Sequence, residues 1–135
     1  MRTTIVLTAL ALLAAPTAYG ESNARVQRGH ALFDRHCAAC HGATGGERGP
    51  IAVERGLEPP DLRRFAARRD GRFDPREVAM IIDGRDARLV SSQRQMPIWG
   101  DLHAHLRARS AELGEGMSEE MDALVAWIES IQLAR

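Results

Sequence analysis

Two cysteines three positions apart, with a histidine directly after the second, constrain this chain more than any other feature: Cys37-Ala38-Ala39-Cys40-His41. Thiols so close in sequence close only a tiny loop if they join each other, so a structural disulfide would stabilise little. A thioredoxin-like redox pair expects strands alternating with helices around it, and the sequence has no strand pattern. A zinc site needs two further ligands at regular spacing, and His30, His36, His103 and His105 supply no such pattern. One helical turn does, however, set both sulfurs along one edge of a porphyrin, within reach of its two vinyl groups. The adjacent imidazole then points at the iron. The pentapeptide is the attachment signature of a c-type haem, with Cys37 and Cys40 as thioether sites and His41 as the proximal ligand.

The start of the chain fits that chemistry. Arg2 gives a positive n-region, Ile5 to Ala15 form an apolar stretch broken only by Thr8, and Ala18-Tyr19-Gly20 places small residues where a signal peptidase reads them. A stretch of eleven residues is well short of the roughly 20 apolar residues needed to cross a bilayer. The expectation is a cleaved signal peptide over residues 1–20 and one domain over 21–135, located in the periplasm and not membrane-spanning. Removing twenty of the 135 residues leaves 115, enough for a single domain with a thin core. A chain so small and loop-rich needs an added apolar body or cross-link, and a covalent haem is both. Acidic and basic residues balance at 18 each, which argues against a nucleic-acid partner, and every basic residue among them is arginine.

Helical periodicity dominates the remainder. Residues 24 to 36 place Val26, Gly29, Leu32 and Phe33 on one face. Residues 42 to 61 are crowded with glycine and proline and read as loop, with no long regular element. A short basic segment over Leu62 to Arg69 has helical character. Asp74 caps and Pro75 begins a helix to about Asp83, ended by Gly84. In that helix Met80 reads as core, beside Val78, Ile81 and Ile82. Residues 85 to 100 read as irregular. Ser118 is placed to cap a last helix with Leu124, Trp127, Ile128 and Ile131 along its apolar stripe. The fold class is all-α.

A second axial ligand must come from further along the chain. Among Met80, Met96, Met117 and Met121, Met96 stands apart because Gln95-Met96-Pro97-Ile98-Trp99-Gly100 is an irregular, proline-fixed stretch. Such a stretch can drape over a flat face, which makes Met96 the preferred ligand, with His103 and His105 as the alternatives. Ligation by histidine and thioether leaves no open coordination position. It therefore suits outer-sphere electron transfer and not catalysis.

The chain resembles the class I monohaem cytochromes c of bacterial periplasms over most of its expected mature length. Gly29 and Phe33 match that family's first-helix positions, and Leu124 and Trp127 match the last-helix pair that crosses them. The resemblance implies a cytochrome c fold: three main helices, with short helices and long loops, wrapped around one covalently bound haem c. It implies that a proline carbonyl among Pro50, Pro59 and Pro60, with Pro60 preferred, holds the haem histidine. It also implies that Met96-Pro97-Ile98-Trp99-Gly100-Asp101 is the distal loop, with Trp99 beside the cofactor. The implied activity is electron exchange with redox protein partners. The alternatives are a haem subunit or dedicated acceptor of a periplasmic dehydrogenase or oxidase complex, and a haem protein that binds a small gas. Two polar stretches, Arg85 to Gln95 and Asp101 to Met117, exceed what the pattern needs and read as surface insertions or a docking flap.

Overall fold

The structure is a computed structural model and describes residues 18–84, 94–99 and 119–134. Its helices are α1 (Ala18–His36), α2 (Ala38–His41), α3 (Pro50–Arg55), α4 (Pro75–Asp83) and α5 (Glu119–Ser130), with two 3-10 turns at Leu62–Arg64 and Ala67–Arg69. There is no strand among the described residues, and the chain is all-α. Most of the expected signal segment, together with Ser118, Met117, His103 and His105, lies outside the described residues. So do Arg85 to Gln93 and Asp101 to Met117.

The frame is the pairing of α1 with α5, the most extensive contact between elements. Phe33 is fully buried on α1, and on α5 Ala123, Leu124, Val125, Trp127 and Ile128 are buried. The rings of Phe33 and Trp127 lie 4.1 Å apart, tilted by 34°. The two helices meet this closely because Gly29 has no side chain. A Cβ there would collide with the Ala123 carbonyl and would lie 2.9 Å from the Trp127 Cβ. On the outer edge, Arg25 pairs with Asp122 at 3.1 Å and Arg28 with Glu119 at 3.4 Å. These pairs are exposed and contribute little.

α4 closes the core from a third side, burying Val78, Ala79 and Ile82. Its ends follow local chemistry. The Asp74 carboxylate accepts from the Arg76 and Glu77 amides, Pro75 occupies the first turn, and Gly84 adopts the left-handed cap at φ +75°. Met80 is not core: it is 43% exposed. At about 100° per residue, Met80 stands about 200° around the helix from both Val78 and Ile82, so the buried face carries it outward. α1 begins at Ala18, earlier than the expected start at residue 24, and so spans the expected cleavage point.

The loop after His41 contains a short helix that its glycine and proline content conceals. α3 begins at Pro50 after Gly49 and ends at Gly56 in the left-handed conformation. The loop turns back on the attachment segment, where the Gly49 amide donates to the Cys40 carbonyl at 2.9 Å. The 3-10 turns are fastened to the end of the chain by Gln132. Its amide donates to the Leu62 and Ile128 carbonyls, and its oxygen accepts from the Ala66 amide.

Candidate haem site

The attachment segment continues the path of α1. The Cys37 amide donates to the Phe33 carbonyl at 2.8 Å, and the His41 amide to the Cys37 carbonyl at 2.9 Å. One short helix, α2, therefore fixes Cys37, Cys40 and His41 relative to one another, and Gly42 at φ +71° ends it. Gly49 packs against this turn so closely that a Cβ would strike the Ala38 and Ala39 carbonyls.

Cys37, Cys40, His41, Pro60, Met96 and Trp99 all line one cavity of about 750 Å³. They come from three separate stretches: the first three from the end of α1 and α2, Pro60 from the following loop, and the last two from the 94–99 segment. Phe33, Ile51, Leu62, Phe65, Val78 and Ile128 supply apolar wall. The volume is within the roughly 300–1,000 Å³ of sites that enclose small molecules and cofactors. Trp99 meets His36 edge-on at 5.7 Å between ring centroids, which links the 94–99 segment to the end of α1. Of the other methionines, Met121 is buried in α5 and Met80 is on the exposed side of α4, and neither lines the cavity.

The electrostatics favour neutral sulfur and a neutral imidazole. Burial, helped by the nearby Cys40, pushes the Cys37 thiol up to about 12. Reactive and metal-binding cysteines show the opposite shift, so this environment suits a thiol or thioether and not a thiolate. Both cysteines are free of disulfide. No three potential ligands among His, Cys, Asp and Glu converge among the described residues. His41 is 8% exposed. Burial lowers its pKa below the ordinary histidine value, and the Pro60 backbone carbonyl counters this by favouring the protonated ring. Its Nδ1 is buried without a hydrogen bond of ordinary geometry, and the Pro60 carbonyl faces it in a contact just short of a full hydrogen bond.

A family model for cytochrome c matches residues 26–132. The chain belongs to the cytochrome c family. No curated protein and no solved structure gave a match. Family membership implies covalently bound haem c and haem-based electron transfer, and it fits a carrier of electrons and not an enzyme. The residues present fit that group. The cavity is apolar on several sides, two sulfurs stand one turn apart on its wall, and the buried His41 imidazole lines the same wall.

Sequence reasoning did not place Arg55, Arg68, Arg69 and Arg94 at the cavity, yet all four line it. The basic run from residue 63 onward was the only signal for two of them. Arg69 is held by Glu77 at 2.6 Å and lies over the Phe65 ring at 3.7 Å. Arg94 comes from the stretch that reads as a polar insertion, and nothing local marks it.

Proposed function

We propose that this cytochrome c is a periplasmic carrier of single electrons, with one haem c attached through Cys37 and Cys40 and ligated by His41 and Met96. The observation that carries the reading is the convergence of Met96 with the attachment triplet on one apolar cavity. Bound haem would supply a one-electron couple, with His41 and Met96 as the residues that would hold its iron. The protein's part is to hold and shield. α2 fixes two sulfurs and one imidazole within a single turn, and Phe33, Leu62 and Phe65 exclude water. The Pro60 carbonyl orients His41 through Nδ1, leaving Nε2 for coordination. Met96 supplies a thioether, which favours the reduced state and raises the potential relative to bis-histidine ligation. Export rests on the n-region, apolar stretch and small-residue site of residues 1–20. No helix among the described residues is long and apolar enough to cross a membrane.

The ligand assignment is tested by visible spectroscopy of the ferric holoprotein. The weak near-red band of thioether-ligated iron is expected in the wild type and is expected to vanish in Met96→His. If it survives in that variant, another methionine is the ligand.

The partner is a redox protein with an acidic docking face. Arg55, Arg68 and Arg69 stand at the cavity. Residues 61–77 carry six arginines against four carboxylates, a net +2. This excess is modest because Asp61 engages Arg63 and Glu77 engages Arg69. Steering by such a field is screened beyond about 10 Å at 0.1 M salt. Electron-transfer rates with the partner are therefore expected to fall as ionic strength rises. A rate indifferent to salt removes the steering.

A further inference from the structure

The last turn of α4 and the segment bearing Met96 are joined by one side chain. An α-helix leaves its last four carbonyls without donors from within the helix. In α4 the Gly84 amide takes the Met80 carbonyl at 3.0 Å. Arg94 takes the next two, with Nη1 donating to the Ile81 carbonyl at 2.9 Å and Nη2 to the Ile82 carbonyl at 3.3 Å. The same guanidinium also faces its own segment. Nε donates to the Met96 carbonyl at 2.8 Å and Nη2 to the Pro97 carbonyl at 2.9 Å. A planar fork with five N–H donors can serve two directions at once, whereas an ammonium presents three donors from one point. Its positive charge is also favourably placed at a helix C-terminus.

The anchor is firm at the α4 end, because Val78, Ala79 and Ile82 are buried in the core. At the other end, residues 94–99 form no helix or strand that could hold Met96 by itself. Gly84 makes the junction possible. A Cβ there would lie 2.8 Å from Arg94 Nη2 and 2.9 Å from its Cζ. One glycine thus allows the left-handed helix cap and leaves room for the guanidinium.

We infer that Arg94 is a positioning residue for the distal ligand, fixing the Met96 backbone to the end of α4 and so keeping its thioether at the cavity. The inference rests on Met96 being that ligand. Loss of the fork raises the population in which the 94–99 segment swings away, while the core beneath is unchanged.

The test is ligand exchange on the ferric holoprotein, mixing it with imidazole and following loss of the near-red band. R94Q is expected to exchange roughly 10- to 100-fold faster than wild type, corresponding to a shift of about 1.4 to 2.8 kcal/mol in segment opening. R94K keeps the charge but not the fork and is expected to exchange nearly as fast as R94Q; it also serves if R94Q does not accumulate. R25Q, which breaks only the exposed pair with Asp122, is expected to exchange at the wild-type rate. Wild-type exchange in R94Q overturns the assignment, and so does wild-type exchange in R94K, because charge alone would then suffice. Met96→His, run in parallel, separates the two claims. A band that survives there removes the ligand reading itself, whereas a lost band with unchanged R94Q exchange removes only the role of Arg94.

Discussion

Acid-acetone extraction of a Cys37→Ser/Cys40→Ser double variant is expected to release all of its pigment, while wild-type pigment stays with the polypeptide. The two sulfurs are the only groups in the attachment turn able to form thioether bonds. Without those bonds, the proposed ligands His41 and Met96 and the apolar wall would hold the group by reversible contacts alone. Stability then becomes a mass-action quantity. It rises with free haem as RT ln(1 + [L]/Kd), about 2.7 kcal/mol at a hundredfold excess over Kd. The unfolding midpoint of the double variant should therefore depend on added haem, and that of the wild type should not. Pigment that remains bound to the double variant through extraction would mean that the attachment lies elsewhere.

Gly29→Ala is the second large effect, and two principles disagree about its sign. Alanine in a helix interior is favoured over glycine by about 1 kcal/mol, so α1 alone would gain. The new methyl group, however, meets the Ala123 carbonyl and the Trp127 Cβ on α5. Backbone cannot rotate out of the way as a flexible side chain could, so the helices must separate. Overpacking of this kind costs about 3 kcal/mol at the upper end of its usual range. The steric cost wins, leaving a net loss of about 2 kcal/mol. For a domain of this size the loss corresponds to a melting midpoint lowered by roughly 8 °C, readable by circular dichroism of the holoprotein. An unchanged or raised midpoint would show that the α1–α5 approach is looser than described.

What could be read from sequence was what local chemistry decides. Asp74, Pro75 and Gly84 marked both ends of α4, because a cap, a first-turn proline and a left-handed stop each act within one or two residues. That Cys37, Cys40 and His41 act as one geometric unit was legible for the same reason, since one helical turn contains them. The cytochrome c family and the all-α fold were likewise expected and are shown. Met80 was misplaced because five consecutive apolar residues, Val78 to Ile82, look like one stripe until a neighbouring helix selects which arc is buried. α3 was overlooked because Gly49, Pro50 and Gly56 count as loop formers, although a proline opening and a glycine closing are also how a short helix is bounded. Arg94 was invisible. Its partners at Ile81 and Ile82 lie more than ten residues away, and backbone carbonyls leave no signature in side-chain pattern.

The pairing of α1 with α5 also orders events in time. Arg25 and Asp122 are 97 residues apart, so the main core face of α1 has nothing to pack against until α5 reaches it. Joining such distant segments carries a loop-closure cost that grows with the length between them. Until α5 docks, the turn carrying Cys37 and Cys40 sits beside an open, unfinished interior. Once that helix docks, Ile128 completes the apolar wall of the cavity that both cysteines line. The architecture thus makes completion of the haem pocket depend on the docking of α5.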